Sequence, residues 1–390
     1  MKQLTNGLLA VLFAAILLLY SCSKSGMNSG NSQSTTNGSL TPHTYGVLPM
    51  QPEQWASIPV FSRDLLTGRL SGVQPATLPA SYLLSSPAIR DQGQIGSCTG
   101  FCGAETNEIL HYYHNGGSVS STGLSTGTGS GSGLLTATQT ENATSSVLSP
   151  LFVYYVERCV ILKESVSSDN GAYMVDIPET FQGLSNNTGT GKALTLTINR
   201  KSYNFAGVCT ESLYAYPSNG SDRSTQYRTA PSATAISNAV ADTIGKQSGT
   251  TGSSGTTSHG YFVINSSDPV SDAKAAIASN LPVMMGFNVY DNSKYQYFEG
   301  LGVAGYAPNN FTYNPLNSNG SLVSGLQLLG GHAVPLIGYI DDATQPGGGV
   351  FICQNSWSTS WGFKGYFYLP YSVLRSQTIV SAGSLYVAII

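Results

Sequence analysis

From Gly260 onwards the chain consists of short apolar runs separated by residues that break regular structure, and this pattern constrains the fold most. The runs are rich in aromatic and β-branched residues, with Gly, Pro and Asn between them; they are GYFVIN, LPVMMGFNVY, HAVPLIGYI, GVFICQNSW and GYFYLPY. Closely spaced runs of this composition are typical of β-strands. One helix is predicted among them, over residues 271–280. We therefore predict that the second half of the chain is mainly sheet.

The first half of the chain has a helical pattern instead. A helix is predicted from Cys98 to about Tyr113, and its apolar stripe consists of Phe101, Ala104, Ile109 and Tyr112. A second helix is predicted over residues 148–162, because Ser149 and Pro150 suit the N-cap and first-turn positions. A third is predicted around residues 173–184. Helices followed by strands predict an α+β protein of two lobes with a cleft between them.

The first 22 residues have the features of a targeting segment. Lys2 is followed by an apolar stretch from Leu8 to Tyr20, which is shorter than the roughly 20 residues that a membrane-spanning helix needs. The stretch ends in Leu-Tyr-Ser-Cys, which resembles the lipobox of bacterial lipoproteins and makes Cys22 the predicted lipidation site. The alternative is an ordinary secretory signal that contains a cysteine. We predict a protein of the bacterial cell envelope, anchored by lipid to the membrane at the periplasmic face or the outer-membrane surface.

The remainder divides by composition into a linker region and a folded domain. Residues 23–77 are predicted to form a flexible tether, rich in Gly, Ser, Asn and Thr as far as residue 42, and then an extended arm or short pro-region. Two alternatives follow for the arm: either activity needs no proteolytic activation, or the arm blocks the cleft. Residues 78–390 form the predicted domain, with low-complexity insertions near 115–147 and 245–260.

Charge and cysteine content exclude several functions. Net charge is −3 and no Lys/Arg cluster is present, so nucleic acid is not expected as a partner. No CxxC pair and no metal-ligand spacing of His and Cys occurs, so we predict no metal site and no cofactor. The cysteines are six in number, and pairing is left open among Cys102, Cys159, Cys209 and Cys353.

The loop before the predicted helix at Cys98 has the features of a nucleophile segment. Gly93 and Gly96 favour a tight loop, and Cys98 follows in the first helical turn, where free N–H groups lower the pKa of a thiol. The Cys98 N–H and the side-chain amide of Gln92 could donate to one point and form an oxyanion hole. The alternative is a buried structural cysteine.

A cysteine nucleophile needs a base, and His332 is the candidate among five histidines. It lies where a Gly-rich turn, Gly330–Gly331, enters a predicted strand, and the glycines permit close approach of another backbone or of substrate. The others are interpreted as ordinary surface or capping residues; they are His43, His111, His114 and His259.

Asn355 is the candidate partner that orients His332. Its amide oxygen can accept from one ring nitrogen while the other nitrogen faces Cys98. Trp357 follows and can shield this hydrogen bond from water. Strand alternation places Cys353 on the same face as Asn355, and Cys353 is interpreted as a small buried hydrophobic residue.

Three separate segments resemble the papain-like cysteine peptidases. They are QGQIGSCTGF, GGHAVPLIGY and QNSWSTSWGFKGYFYL, in the family's order. The resemblance implies that Cys98 is the nucleophile, Gln92 an oxyanion donor, His332 the base and Asn355 its partner. It also implies a papain-like two-lobe fold, with a helical left lobe, an antiparallel β-barrel-like right lobe and the active-site cleft between them. The expected molecule is a monomer that acts on peptides or proteins.

A fourth segment, residues 169–173, resembles the stretch whose backbone pairs with substrate. The predicted substrate-binding residues are Asn170, Gly171, Ala172, Val283 and Trp357, with Val283 assigned as part of an apolar pocket.

The chain departs from the family at several positions. Ile95 and Asp169 stand where a disulfide is usual, Thr99 replaces a tryptophan beside the nucleophile, and Ala172 replaces a glycine. Three hypotheses follow. The first is peptide hydrolysis through a thioester, the second is transfer of the same acyl group to an amine as a transpeptidase or amidase, and the third is a catalytically weak or inactive binding protein.

Overall fold

The structure is a computed structural model. It describes residues 42–389 apart from 57, 68–77, 118–120, 123–146, 186–191, 199–200, 205–206, 218–226, 242–259 and 307–310. The predicted targeting segment, the lipidation site Cys22 and nearly all of the predicted tether therefore lie outside the described residues, as do most of the two insertions. Within the described ranges, no helix is long and apolar enough to cross a bilayer.

The helices are concentrated in the first half of the chain, as predicted. They are α1 (Pro52–Trp55), α2 (Asp64–Thr67), α3 (Cys98–His114), α4 (Pro150–Tyr155), α5 (Asp176–Gln182), α6 (Ala233–Ala241), α7 (Pro269–Ala278) and α8 (Tyr371–Leu374). The predicted helix at 148–162 begins with Ser149, whose Oγ accepts from the N–H of Phe152 at 3.1 Å. It continues beyond α4 as a π-helix over Val156–Ile161.

Within the part of the chain that the structure describes, the strands form one antiparallel sheet and two short ladders. They are β1 (Ser81–Leu83), β2 (Ser121–Thr122), β3 (Leu184–Ser185), β4 (Lys192–Ala193), β5 (Thr195–Ile198), β6 (Lys201–Asn204), β7 (Gly260–Val263), β8 (Val283–Asp291), β9 (Gln327–Asp341), β10 (Gly349–Gln354), β11 (Tyr366–Pro370) and β12 (Leu385–Ile389). The main sheet has the order β11-β10-β9-β8-β12-β7, and β1 pairs with both β9 and β2. β3 pairs with β4, and β5 with β6. The predicted α+β architecture is confirmed.

Helix α3 joins the helical lobe to the sheet. It packs against α4 and α5 on the helical side and against β8 and β9 on the sheet side, and every residue from Cys98 to Leu110 is buried. Two glycines permit the close approach of its neighbours: a Cβ on Gly100 would lie 2.4 Å from the Pro150 carbonyl oxygen, and one on Gly103 would lie 2.8 Å from Ile177. The first turn of α3 lies against the middle of β9, where the backbone of Ala333 acts on the Cys98 thiol.

The described part of the predicted arm packs onto the domain. Ile58, Phe61 and Leu66 are buried. Phe61 N–H donates to the Val263 carbonyl at 2.8 Å, and Val263 N–H donates to Pro59 at 2.9 Å. The hydrophobic core therefore includes residues from before position 78.

Candidate active site

Cys98 is the first residue of α3 and is fully buried. At this position a backbone N–H has no acceptor within the helix. Burial raises the pKa of the Cys98 thiol to about 12, and the opposing effect of the backbone groups of Ala333, Gly46 and Thr99 is smaller. The lowered pKa expected from the helix N-terminus is therefore absent here, because the cost of desolvating the thiolate outweighs the favourable backbone groups.

His332 lies in β9 and is bound to Asn355 as predicted from the sequence. Its Nε2 lies 2.7 Å from Asn355 Oδ1, and the same oxygen accepts from the N–H of Ser356 at 2.9 Å. Because an amide oxygen only accepts, Nε2 carries the proton and Nδ1 presents its lone pair. Nδ1 has no hydrogen-bond partner among the residues that the structure describes, and burial lowers the pKa of His332 to about 3.

Aromatic rings cover the His332–Asn355 hydrogen bond. The ring centroids of His332 and Trp357 are 4.9 Å apart, and the ring of Phe298 contacts both. Asn355 follows β10, and its N–H donates to Gly365 at 2.9 Å. Trp357 thus lies where it shields the hydrogen bond from water, as the sequence predicted.

Gln92 is oriented by Ser356. The Ser356 hydroxyl donates to Gln92 Oε1 at 2.6 Å, and the N–H of Gln92 donates to the Ser356 carbonyl at 2.8 Å. The side-chain Nε2 donates to the carbonyls of Ile95, at 3.0 Å, and Thr44, at 3.3 Å. Ser356 was not identified from the sequence, although its position directly after Asn355 was the available signal.

Asp169 connects two loops at the position where a disulfide is usual in the family. The N–H of Gly96 donates to Asp169 Oδ1 at 3.1 Å, and the hydroxyl of Tyr154 donates to the same oxygen at 2.5 Å. That hydroxyl accepts from Gly171 N–H at 3.2 Å. These hydrogen bonds link the nucleophile loop to the predicted substrate-pairing stretch without a covalent bond. The five cysteines within the described residues are all free.

Thr99 belongs to the helical lobe. Its hydroxyl donates to Glu157 Oε2 at 2.7 Å, and both side chains are buried. The polar replacement of the usual tryptophan therefore has a partner in the π-helix that follows α4.

The arm lies across the cleft beside Cys98. The N–H of Ala172 donates to the Gly46 carbonyl at 2.7 Å, the N–H of Leu48 to the Ala172 carbonyl at 2.9 Å, and the N–H of Val47 to the Gly331 carbonyl at 2.9 Å. The arm runs parallel to the chain at Ala172 and antiparallel to it at Gly331. It is held like an added strand between the two lobes.

The arm fits only because its closest point is a glycine. A Cβ on Gly46 would lie 1.8 Å from the carbonyl oxygen of Gly96, and a Cβ on Gly171, whose φ is +91°, would lie 2.1 Å from the Gly46 carbonyl oxygen. Contacts that short do not occur, so the backbone here has no room for a side chain. Of the two alternatives for the arm, the structure has it in the cleft.

Asn170 and Val283 are the remaining predicted substrate-binding residues. Asn170 is exposed, and its amide donates to Glu164 at 3.2 Å. Val283 is buried in β8 and pairs with Leu336, whereas His332 pairs with Phe287. The difference of four positions corresponds to about 13 Å along a strand. The pocket role of Val283 stays a prediction.

A helical lobe and an antiparallel sheet that meet at Cys98, His332 and Asn355 define the class of papain-like cysteine peptidases. A model of the papain family of cysteine proteases matches residues 186–384, a range that contains His332 and Asn355. The chain belongs to the papain family of cysteine proteases.

Two known proteins illustrate the relationship. An uncharacterized peptidase C1-like protein of Acanthamoeba polyphaga mimivirus is 24% identical over 75% of this chain and 67% of its own length. The crystal structure of xylellain, a cysteine protease from Xylella fastidiosa, superposes with a TM-score of 0.55 at 22% identity, covering 91% of this chain and 98% of that one. The likeness to xylellain supports the two-lobe fold.

Proposed function

We propose that this protein is an endopeptidase that hydrolyses peptide bonds through a thioester on Cys98. The observation that carries this proposal is the hydrogen bond from His332 Nε2 to Asn355, which leaves the Nδ1 lone pair available on the residue next to Ala333, whose backbone acts on the Cys98 thiol. A histidine held in one tautomer by a third residue is the arrangement that activates a nucleophile.

The proposed reaction uses these groups in two stages. In the first, His332 Nδ1 takes the thiol proton, sulfur bonds to the substrate carbonyl carbon, and the C–N bond breaks as His332 returns the proton to the leaving amine. In the second, His332 removes a proton from water, oxygen bonds to the thioester carbon, and the C–S bond breaks to restore the thiol. Gln92 Nε2 and the Cys98 N–H stabilise the oxyanion in both stages.

The arm keeps the site inactive in this proposal. The Thr44 carbonyl accepts from the Gln92 amide that would bind the oxyanion, and Gly46 covers the thiol. Burial favours the neutral forms of Cys98 and His332. Displacement of the arm admits water, which lowers the pKa of Cys98 and raises that of His332, and so favours the thiolate–imidazolium pair.

We also propose that the protein works as a monomer on the cell envelope, anchored by lipid at Cys22. The support is the apolar stretch that ends in a cysteine after a small residue. A Cys22→Ser variant is expected to lose both the acyl mass and the membrane association. A variant that stayed in the membrane fraction would contradict the anchor.

The test compares two full-length chains. The first carries Gly46→Ala, which displaces the arm, and the second carries both Gly46→Ala and Cys98→Ala. Peptide mixtures are incubated with both, and products and covalent acyl-enzyme are followed by mass spectrometry. We expect cleavage and an acyl adduct on Cys98 in the first sample and neither in the second. Products joined to an added amine rather than hydrolysed would indicate a transpeptidase. A folded chain that forms no adduct would support the binding-protein hypothesis and contradict the proposal.

A further inference from the structure

The cleft contains a buried carboxylate that the proposed reaction does not use. Glu299 has a fully buried side chain. Its Oε1 accepts from the backbone N–H of His43 at 3.0 Å and from the Tyr45 hydroxyl at 2.5 Å. Its Oε2 lies 2.9 Å from His43 Nδ1. All three donor groups belong to the arm.

The carboxylate is rigidly positioned beside an aromatic face. The N–H of Glu299 donates to Asp291 at 3.0 Å, and its carbonyl accepts from the Trp361 indole at 3.0 Å. The ring of His43 stacks on Trp357 with centroids 3.8 Å apart and planes 4° from parallel. A flat, nitrogen-bearing ring is thus held between the Trp357 face and the Glu299 oxygens.

These two residues lie on the leaving-group side of the cleft. In the proposed reaction His332 protonates the leaving amine, so the residues that follow the scissile bond extend past His332. Trp357 is the ring that contacts His332, whereas Ala172 holds the opposite end of the arm segment. Glu299 and Trp357 are therefore available to the part of a substrate that becomes the second product.

Once the arm leaves, water or a substrate group takes the place of its donors at this carboxylate. A bound substrate excludes water from the cleft again, and a cation with well-placed hydrogen-bond donors then relieves the cost of burying the charge. Guanidinium is planar, stacks on indole faces and donates two parallel hydrogen bonds to a carboxylate, which an ammonium group cannot do. The stacked His43 ring occupies the position that such a group would take.

We propose that Glu299 and Trp357 form a specificity pocket for a planar cationic side chain, above all arginine, among the residues that follow the scissile bond. The substrate class is then peptides with arginine close after the cleavage point. This inference rests on the proposed function for its setting, since it concerns selection of the peptide that the enzyme cuts.

The cleavage test uses the full chain carrying Gly46→Ala on a mixture of cellular peptides. Product N-termini are sequenced by mass spectrometry, and a synthetic pair then compares arginine with citrulline, its neutral analogue of the same shape. We expect arginine enrichment at one position after the bond and a preference over citrulline of about tenfold in kcat/KM. The preference is expected to fall to about one in Glu299→Gln and to persist in Glu53→Gln, which neutralises an exposed carboxylate on α1. No arginine preference, or one that survives Glu299→Gln, would overturn the inference.

A second measurement does not depend on catalysis. Amide exchange of arm residues 43–48 is measured in four chains. His43→Arg and His43→Gln are each prepared once with Glu299 retained and once with Glu299→Gln. We expect slower exchange with arginine than with glutamine at position 43, and no difference between them once Glu299 is neutralised. Equal exchange with Glu299 present would overturn the pocket even if the enzyme cleaved peptides. If the exchange difference were present but no acyl adduct formed, the result would support the pocket and contradict the proposed function.

Discussion

Two segments meet at Cys98, the start of α3 that carries the nucleophile and residues 43–48 of the arm that cover it. The nucleophile side is held by specific side chains, such as Ser356 on Gln92 and Asn355 on His332. The arm is held near Cys98 mainly by backbone groups of Gly46, Val47 and Leu48.

The comparison teaches that a site and its cover are encoded differently. A side chain that performs chemistry must have one identity, so it leaves a motif in the sequence. A backbone hydrogen bond can be made by nearly any residue, so residues 46–48 leave almost no motif apart from a glycine where space is absent. The side-chain contacts of the arm, from His43 and Tyr45 to Glu299, precede this stretch. The predictions below separate the two kinds of contact, from the largest expected effect to the smallest.

Replacing His332 removes the proposed general base but does not change the residues of the arm. In the Gly46→Ala chain, we expect His332→Ala to lower peptide hydrolysis by about a thousandfold or more, because the thiol loses its proton acceptor. His114→Ala, which removes an exposed histidine at the end of α3, is the matched control and should change the rate little. Steady-state kinetics on one peptide distinguishes them. Equal losses in the two variants would refute the assignment of His332.

Lowering the pH is expected to weaken the binding of the arm in the cleft, because His332 gains a proton more readily when the arm is displaced. With the arm in place its pKa is about 3, and hydration returns it toward its ordinary value near 6.5. The form with the arm in the cleft is therefore most stable, relative to the open form, above pH 6.5. It loses this stability as the pH falls toward 3. Between pH 7 and pH 5 the shift amounts to about 2 kcal/mol, or about thirtyfold in the opening equilibrium.

The readout is amide exchange of residues 43–48, corrected for the intrinsic effect of pH, in the wild type and in His332→Asn. The pair His43–Glu299 is present in both chains, so the difference between them isolates His332. The same pH response in both chains would rule out this coupling.

Loss of the Ser356 hydroxyl should misorient the oxyanion donor. In the Gly46→Ala chain, Ser356→Ala removes the bond to Gln92 Oε1, and we expect kcat to fall by about tenfold with little change in KM. Ser358→Ala is the control, because Ser358 is half-buried and its hydroxyl lies 2.7 Å from the hydroxyl of Ser360. An effect confined to KM would indicate that Ser356 acts on substrate binding instead.

The smallest expected effect is at the non-covalent link between the loops. Asp169→Asn weakens the acceptor of Gly96 N–H and of the Tyr154 hydroxyl, and we expect a loss of about 1–2 kcal/mol in the free energy of unfolding. Chemical denaturation measures it, with Glu53→Gln as the surface control. An unchanged midpoint would show that Asp169 does not substitute for a disulfide.

The sequence predicted the fold class and the central side chains because both rest on local signals. The strand runs after Gly260 and the helix at Cys98 follow from apolar pattern and breaker residues. Cys98, His332, Asn355 and Gln92 were assigned from motifs, and the structure brings them together.

Other features depend on contacts between distant segments, which no local pattern displays. The burial that raises the pKa of Cys98 comes from packing around it, including an arm more than fifty positions away in the chain. The replacement of a disulfide by Asp169 and Tyr154, and the role of Glu299 as a buried acceptor, likewise required the fold. The path of the arm through the cleft was one of two alternatives, and only the structure distinguishes them.

The most direct test of a nucleophile covered by the arm is the pH dependence of Cys98 alkylation in the wild type and in Gly46→Ala. Intact mass and peptide mapping report the modified fraction of Cys98 against time. We expect the wild type to react slowly at neutral pH and faster only as the pH rises toward 12, whereas Gly46→Ala reacts at least a hundredfold faster at pH 7 and reaches a plateau at lower pH. Identical rates and identical pH profiles in the two chains would contradict the covering role of the arm.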